Sequence, residues 1–322
     1  MKLLIVRNDK LGDFITTLPA ISLLKSYNSD INITVLVAPI NAQLAAECSF
    51  IDSIMIDNSE PILALSKRIK KEKFDASITM FSNTRVGIAQ FLAGIKTRIA
   101  PATKLAQVFY NKRVTQRRSH VKMSEYEYNI ELAQNLYHDI KSEFKQPLLE
   151  FDKKESIKTY KKFTDFFGIQ KEVVAFHVGF GGSSDANWSL EEYFKLIDSV
   201  LKEEKYQVVM TFGPDEDTLY NDAYMNYKHA DVILYQSLDG LVEFAKLLSH
   251  FKLFVSTSTG TYHLAALVGC ETMTFFGDSL FASVKRWKAV SLESLQHAYM
   301  LPQDTKKRAV IFEQVQDALK VL

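Results

Sequence analysis

Short apolar runs alternate with amphipathic stretches along the first half of the chain. The pattern predicts strands at 2–7, 31–37 and 75–80, with a helix near 14–27. Parallel strands joined by crossover helices produce this alternation. The first half therefore predicts an α/β domain.

The second half of the chain repeats the scheme. It predicts strands near 173–178, 207–212, 232–235, 253–256 and 271–276. It predicts helices near 190–202, 238–249 and 261–268. The last segment, 308–322, places apolar residues at helical spacing and predicts a terminal amphipathic helix that packs on one of the domains.

The periodicity breaks at 144–152, which contains Pro147. The stretch that follows, 153–167, is a charged helical pattern that stops at Gly168. We therefore predict two domains, 1–152 and 153–322. Ligands of open parallel sheets bind beyond the carboxyl ends of the strands, so two facing domains of this kind would enclose a cleft lined by strand-to-helix loops.

Composition narrows the range of functions. The 322 residues are 47% hydrophobic and 24% charged, which suits two folded cores and argues against intrinsic disorder. The longest apolar runs are shorter than the ~20 residues that span a bilayer, and the first residues lack a secretory signal, so we expect a cytoplasmic protein. Cys48 and Cys270 lie in apolar segments without a CxxC spacing or nearby histidines, which argues against a zinc site.

Charge is unevenly distributed along the chain. The net charge of +1 argues against a general nucleic-acid binder. The segment 96–122, however, contains no acidic residue and carries the following cations: Lys96, Arg98, Lys104, Lys112, Arg113, Arg117, Arg118 and Lys122. It is either a solvated loop or a surface for an anionic partner, with Phe109 and Tyr110 placed among the cations at an interface.

The loop after the first strand, 7–13, precedes a predicted helix. Gly12 permits either a close backbone approach to a ligand or an unusual dihedral angle, and Asp13 lies near the helix N-terminus. Asp13 is therefore either the N-cap of the helix or a general base at the cleft. The loop lacks GxGxxG, which argues against a nicotinamide enzyme.

The loop after the first strand of the second domain, 177–188, is rich in glycine and serine, a composition suited to phosphate oxygens. The alternative is a flexible loop closed by a capping box between Ser189 and Glu192. His177, at the strand end, is either a site residue or a core histidine.

A third loop, 255–263, places hydroxyl side chains and Gly260 before an apolar helix. The first turn of a helix leaves backbone N–H groups without partners, and the helix dipole favours negative charge there. The loop therefore predicts an anion site for which a diphosphate is the natural occupant, although serine and threonine are also ordinary caps.

Taken together, these loops resemble glycosyltransferase family 9, which includes the heptosyltransferases of lipopolysaccharide inner-core synthesis. The resemblance covers nearly the whole chain. The residues that carry it are Arg7, Asp9, Gly12, Asp13, Thr17, Pro19 and Lys25, then Trp188, then Ser258-Thr259-Gly260 with His263-Leu264-Ala265-Ala266, and finally Phe275-Phe276-Gly277.

The resemblance implies an α/β fold of the GT-B type, with two facing Rossmann-like domains, parallel sheets and an interdomain cleft. It implies an acceptor-binding domain at 1–152, a nucleotide-sugar-binding domain at 153–322, and no metal or other cofactor. Asp13 is then the catalytic base. The implied donor residues are Ser183, Ser184, Glu216, Ser258, Thr259, Gly260, Thr261 and His263. The expected acceptor residues are Arg7, Lys10, Gly12, Lys112, Arg113, Arg117 and Arg118.

This sequence departs from the family pattern at two positions. The family often has Asp at Ser258, and it commonly has Lys at Ala186, two residues before Trp188. Loss of that lysine removes a cation that could neutralise a departing diphosphate. Lys10, Arg7 or the basic segment is expected to supply the missing charge.

The expected reaction is transfer, with inversion, of heptose or a related sugar from an ADP-sugar to a lipopolysaccharide core or related glycan acceptor. The expected partners are the nucleotide sugar, a lipid A/Kdo-type or other glycan acceptor, and the cytoplasmic face of the inner membrane, with no nucleic acid. The alternatives are another GT-B transferase, a nucleotide-sugar epimerase, or a degenerate member that binds nucleotide without catalysis.

Overall fold

The computed structural model describes residues 1–103, 105–179, 186–227 and 231–321. The chain divides into two compact units, Met1–Lys145 and Gln146–Leu322. This division lies inside the segment 144–152, where the apolar periodicity breaks. The assignment of acceptor and donor roles to domains 1–152 and 153–322 stays a prediction.

The described part of the first unit contains a single sheet flanked by helices. Its strands are β1 (Lys2–Arg7), β2 (Asn32–Val37), β3 (Ser53–Ile56), β4 (Ala76–Thr79), β5 (Thr97–Pro101) and β6 (Lys112–Val114). Its helices are α1 (Leu11–Ile15), α2 (Leu18–Tyr27), α3 (Ala42–Ala46), α4 (Ile62–Glu72), α5 (Thr84–Ala93) and α6 (Glu125–Gln134). Short 3-10 turns lie at Pro39–Asn41, Leu105–Phe109 and Arg118–His120.

The six strands of this sheet run parallel in the order β3-β2-β1-β4-β5-β6. The central strand β1 is buried on both faces along Leu3–Val6, because helices cover the sheet on each side. On one face Leu4 and Val6 pack with Leu65 and Ile69 of α4 and with Val86 of α5.

The second unit has the same construction. Its strands are β7 (Val173–His177), β8 (Gln207–Phe212), β9 (Val232–Gln236), β10 (Leu253–Thr257), β11 (Thr272–Gly277) and β12 (Gln296–Leu301). Its helices are α7 (Lys153–Phe167), α8 (Leu190–Leu201), α9 (Asp217–Asn226), α10 (Leu241–Leu248), α11 (Gly260–Leu267), α12 (Val284–Trp287) and α13 (Thr305–Lys320). Further 3-10 turns lie at Leu280–Ala282 and Glu293–Leu295.

The second sheet is also parallel throughout, in the order β12-β11-β10-β7-β8-β9. Counted from the first strand of each unit, both sheets therefore have the Rossmann order 3-2-1-4-5-6. The terminal helix α13 packs on α8, and its buried residues Val315 and Leu319 join the core of this unit. The prediction of an amphipathic terminal helix is confirmed.

Strands β3, β5, β6 and β12 were absent from the sequence prediction, and all of them except β5 are edge strands. Strand β3 is only partly buried, and β6 has three residues, two of them exposed cations. Strand β12 is mostly half-buried. Their hydrophobic patterns are weak because an edge strand has only one neighbouring strand. Among the described residues, no helix is long and apolar enough to cross a membrane.

Candidate functional site

In each sheet the strand order reverses next to the first strand, between β1 and β4 in the first unit and between β7 and β10 in the second. In open α/β sheets ligands bind at the carboxyl ends of the strands at this switch point. The loops after β1, β7 and β10 are the three that the sequence singled out.

Asp13 is the third residue of α1, and the N-cap of that helix is Lys10, whose side chain makes no capping hydrogen bond. The alternative reading of Asp13 as the N-cap is therefore wrong. Instead, the Asp13 carboxylate forms an ion pair with the guanidinium of Arg7, the last residue of β1. The Asp13 side chain is 21% exposed, so solvent reaches it.

Arg7 is 4% exposed and lies at the centre of this site. Its Nε donates to Asp9 Oδ1 at 2.7 Å, its Nη2 donates to Asp13, and its Nη1 is buried without a hydrogen-bond partner among the described residues. Burial by itself lowers the pKa of Arg7, but the carboxylates of Asp13 and Asp9 outweigh it and the pKa is raised. Arg7 is thus a fixed cation that positions both carboxylates.

A second polar network, which the sequence analysis missed, holds the loop after β1. The side chains of Asn8 and Arg85 both donate to the carboxylate of Asp57, the residue that follows β3. Burial raises the pKa of Asp57, but these hydrogen bonds and the Arg85 charge lower it below its usual value. Asn41 Nδ2 donates to the Asp9 carbonyl at 3.0 Å. No sequence signal pointed to this network, because β3, the strand that places Asp57, was itself absent from the sequence prediction.

The other acceptor residues predicted from this loop lie at its exposed side. Lys10 is exposed, and Gly12 is half-exposed within α1. Gly12 has the right-handed conformation of that helix, so the alternative of an unusual dihedral angle is wrong. A role in approach to a ligand stays a prediction for both residues.

In the second unit, Glu216 lies at the carboxyl end of β8. It is the N-cap of α9 but makes no side-chain capping bond; its carboxylate accepts the N–H of Gly213 at 2.6 Å. A Cβ added at Gly179, after β7, would lie 2.0 Å from Glu216 Oε1. Because Gly179 has no side chain, the Glu216 carboxylate can occupy this space.

His177, the last residue of β7, lies beside Glu216. Its Nδ1 is 3.0 Å from the Thr211 carbonyl, and its Nε2 is 4.0 Å from Glu216 Oε1. Burial lowers the pKa of His177, and the Glu216 carboxylate opposes that shift without reversing it. A neutral imidazole that donates from Nδ1 to the carbonyl fits these contacts, so His177 is both a core residue and a neighbour of the predicted donor contact.

The predicted anion loop lies at the carboxyl end of β10. Thr259 is the N-cap of α11 but makes no side-chain capping bond, and its Oγ1 lies 2.8 Å from Oγ1 of Thr261. Gly260 begins the helix, and the N–H of Ser258 donates to the Phe275 carbonyl at 3.0 Å. Hydroxyls and the helix N-terminus therefore lie together, as the sequence predicted.

His263 lies on α11 one turn after the N-cap and is 3% exposed. Its Nδ1 has no hydrogen-bond partner among the described residues. Burial lowers the pKa of His263 to about 4, so the ring is neutral at pH 7. A neutral ring can donate one hydrogen bond to a phosphate but brings no charge to it.

The glycine-rich loop is described only at its two ends. The predicted donor residues Ser183 and Ser184 lie outside the described residues. At its end, the Ala186 carbonyl accepts Thr257 Oγ1 at 2.8 Å, which ties this loop to the strand before the anion loop. The capping box between Ser189 and Glu192 is present at the start of α8.

A cation that the sequence analysis missed lies beside this loop. Arg308 of α13 donates to the Asn187 carbonyl at 2.5 Å, and its guanidinium lies 4.5 Å from the centroid of the Trp188 ring. Trp188 is buried against Phe275 and Phe312. No sequence signal connects Arg308 to this loop, because the two are more than a hundred residues apart.

The basic segment divides into fixed and exposed cations. Arg118 donates to Glu125 at 2.8 Å, to Gln116 at 2.9 Å and to Asn129 at 3.1 Å, so it holds α6 in place. The other three predicted acceptor cations, Lys112, Arg113 and Arg117, are exposed. Their role in acceptor binding, like that of Arg118, stays a prediction.

Of the two aromatic residues of that segment, Phe109 is partly exposed, whereas Tyr110 differs from the prediction. Tyr110 is 1% exposed and packs beneath α5, with its ring next to Gly87. Burial raises the pKa of Tyr110. The idea that Tyr110 rests at an interface is therefore wrong, because the small Gly87 lets the ring enter the core.

The chain is similar in sequence to known glycosyltransferases. The pattern of glycosyltransferase family 9 (heptosyltransferase) matches residues 62–310. A putative glycosyltransferase of Haemophilus influenzae is 37% identical over 299 residues, which is 90% of this chain and 86% of that protein.

Two solved structures of Escherichia coli proteins have the same fold. ADP-heptose lipopolysaccharide heptosyltransferase II has a TM-score of 0.79 at 17% identity, covering 100% of this chain and 99% of that one. The heptosyltransferase WaaC with ADP has a TM-score of 0.73 at 18% identity, covering 99% of this chain and 100% of that one. The predicted GT-B fold is confirmed by these likenesses, and the extent of the family match shows that the chain belongs to glycosyltransferase family 9.

Proposed function

We propose that this glycosyltransferase transfers heptose or a related sugar from an ADP-sugar to a lipopolysaccharide core or related glycan, with inversion at the anomeric carbon. The observation that carries the proposal is the Arg7–Asp13 ion pair at the carboxyl end of β1. A buried guanidinium holds a partly exposed carboxylate at the sheet edge where ligands of this fold bind. ADP as the nucleotide is supported by the structure of the related WaaC with ADP.

Asp13 is the proposed general base. It takes the proton of the acceptor hydroxyl while that oxygen attacks the anomeric carbon, and the bond between that carbon and the β-phosphate oxygen breaks, which releases ADP. A positioned base contributes roughly 10²–10⁴-fold to the rate. Arg7 restricts the carboxylate rotamer, so less freedom is lost when the acceptor binds.

The start of α11 is the proposed binding site for the diphosphate. The helix N-terminus and the hydroxyls of Thr259 and Thr261 suit phosphate oxygens, and Gly260 lets the ligand approach the backbone. Ser258 is a further proposed contact. His263 supplies a hydrogen bond from a neutral ring, since its pKa is about 4.

Glu216 is the proposed ribose contact. Its carboxylate is 24% exposed at the carboxyl end of β8 and can accept hydrogen bonds from vicinal hydroxyls. Gly179 keeps that position open. Ser183 and Ser184 stay proposed donor residues on the basis of the family resemblance.

This chain has Ala186 where the family commonly has lysine, so another cation is needed to neutralise the departing diphosphate. Arg7 is already paired with Asp9 and Asp13, which argues against it as the cation for the leaving group. Lys10 and the exposed cations of the basic segment stay as the proposed sources. No metal is proposed, and no cluster of three or more ligating side chains is found in the described ranges.

One experiment tests this function. The protein is incubated with a panel of nucleotide sugars and truncated lipopolysaccharide acceptors, and the products are identified by mass spectrometry. We expect an acceptor extended by one heptose and an equal amount of ADP. Conversion of the nucleotide sugar without acceptor would indicate an epimerase, and ADP binding with no turnover on any pair would indicate a non-catalytic member.

A further inference from the structure

The first unit exposes a set of large apolar side chains on α5 and on the 3-10 turn that follows β5. Leu105 is 85% exposed, Val108 66%, Phe91 52% and Leu92 47%. We call these four residues the α5 patch. Single exposed apolar side chains are ordinary, but an exposed apolar cluster marks an interaction surface.

Contacts between the two elements make the patch continuous. The rings of Phe91 and Phe109 lie 6.2 Å apart, so α5 and the turn pack directly on each other. Leu105 and Val108 are three residues apart, and side chains at that spacing lie on the same face of a 3-10 turn. Phe109 therefore joins the turn that carries Leu105 and Val108 to the end of α5 that carries Phe91 and Leu92.

Arg98 of β5 contacts both elements that carry the patch. Its Nε donates to the Phe109 carbonyl at 2.7 Å, its Nη1 donates to the Ile95 carbonyl, and its guanidinium lies 5.4 Å from the Phe91 ring centroid. Burial lowers the pKa of Arg98, but a guanidinium is so basic that it stays protonated at pH 7. A protonated guanidinium therefore lies next to the patch.

Further cations border the patch. Lys96 is exposed and lies three residues after the end of α5, directly before β5. Arg113 is exposed on β6 and pairs in register with Ala100, whose side chain packs under the turn with Ala106. Paired residues of neighbouring parallel strands point to the same face, so Arg113 lies on the same side of the sheet as the patch.

No acid interrupts this region of the chain. The sequence contains no Asp or Glu between Asp75 and Glu125, a stretch that includes α5, β5, the turn and β6. An exposed apolar cluster among cations, without acidic residues, fits a surface that is apolar within and anionic at its border. An anionic lipid bilayer has this combination of properties.

We propose that the α5 patch inserts into the interface of an anionic membrane, with Lys96 and Arg113 against the lipid headgroups. The inference deepens the proposed function, because a membrane-embedded acceptor is reached by a protein held at the bilayer. In this proposal the exposed apolar side chains of the α5 patch contact the membrane in place of Tyr110, which is buried. The proposed membrane contact does not depend on which sugar is transferred.

Vesicle co-sedimentation tests the surface without donor or acceptor. The vesicles contain equal parts of phosphatidylglycerol and phosphatidylcholine, and vesicles of pure phosphatidylcholine are the uncharged comparison. The double variant Leu105→Ser/Val108→Ser should lower the partition coefficient about tenfold, which is about 1.4 kcal/mol. Both side chains are more than half exposed, so the fold should be unchanged by circular dichroism.

A control variant removes two exposed apolar side chains elsewhere. Ile157→Ser/Val310→Ser changes side chains that are 55% and 53% exposed on α7 and α13. This control should bind vesicles like the wild type. Equal loss in both double variants would mean that any exposed apolar side chain contributes, and would overturn the assignment to the α5 patch.

A charge variant tests the border. Lys96→Gln/Arg113→Gln should weaken binding about thirtyfold at low salt, since each cation near an anionic surface contributes about 1 kcal/mol and the variant removes two. The difference should shrink as salt rises, because the Debye length is about 10 Å at 0.1 M. Lys153→Gln/Lys154→Gln on α7 is the control, with no expected change.

Two further outcomes would overturn the proposal. Wild-type protein that does not bind the anionic vesicles excludes a membrane role for the patch. Self-association in analytical ultracentrifugation that is lost in Leu105→Ser/Val108→Ser would make the patch an interface between copies of this chain.

Turnover on a detergent-dispersed acceptor is measured separately from vesicle binding. If the protein does not bind vesicles, the proposed transferase function still stands. If the protein shows no turnover, the vesicle-binding result can still be interpreted.

Discussion

Replacing Asp13 by Asn should abolish turnover, and it should also destabilise the first unit. The amide keeps the shape of the side chain but cannot accept a proton, so kcat should fall by at least the roughly 10²-fold contributed by a general base. In addition, Arg7 loses one of its two carboxylate partners while it stays 4% exposed.

The size of the stability loss follows from that burial. Removing one partner of a fully buried ion pair costs about 3–5 kcal/mol. Here Asp9 still pairs with Arg7 at 2.7 Å and Asp13 is 21% exposed, so we expect about 2 kcal/mol. For a unit of this size, that lowers Tm by about 4–8 °C. Thermal unfolding followed by circular dichroism measures it.

Asp9→Asn is the matched control, because it removes the other partner of the same guanidinium. It should cost similar stability but retain most turnover, since Asp9 is not the proposed base. Steady-state kcat and ADP titration are measured for both variants at a temperature where both are folded. The reasoning is refuted if Asp13→Asn retains more than about a tenth of wild-type turnover. It is also refuted if both variants lose turnover equally, because Asp13 would then act only by holding Arg7.

Three further predictions concern the second unit. Thr259→Val and Gly260→Val should each weaken ADP binding more than acceptor binding, since one removes a hydroxyl and the other places a branched side chain at the start of α11; unchanged ADP titrations in folded variants would move the diphosphate site elsewhere. Stability should decrease as pH falls from about 6.5 towards about 4, because the buried His263 takes up a proton less readily than it does in the unfolded chain. His263→Gln should reduce that slope in urea titrations at each pH, and an unchanged slope would contradict the assignment. Gly179→Ala should lower ADP affinity several-fold by displacing Glu216, whose carboxylate lies 2.0 Å from the added Cβ, and calorimetry with wild-type affinity would show that Glu216 is not a donor contact.

Most of the inner strands and part of the helices could be predicted because their signals are local, whereas β5, α4, α5 and α6 were not predicted. Strands β1 and β7 are continuous apolar runs bounded by polar loops, which is the pattern of a parallel strand covered on both faces. Helix α7 ends at Gly168, whose φ of 68° is in the left-handed region. The sequence also determined the positions of the candidate loops, since each comes between such a strand and the next helix.

Other features depended on contacts between residues far apart in the chain. Asp57 becomes part of the site only because β3 and β1 lie in one sheet, which brings Asn8 and Arg85 to its carboxylate. Arg308 reaches Asn187 because α13 packs on α8. Neither contact leaves a local pattern, because a polar residue in a loop looks the same in sequence whether it is solvated or paired.

The sequence by itself predicted a two-domain α/β protein with polar loops at strand ends and a resemblance to glycosyltransferase family 9, which the family match over residues 62–310 confirms. Only the tertiary structure decided what these side chains do locally. It showed that Asp13 pairs with a buried Arg7 instead of capping α1, and that Tyr110 is buried while Leu105 is exposed. The physical reason is that periodicity records the average burial of a segment, whereas the burial and partners of a single side chain depend on which distant residues pack against it.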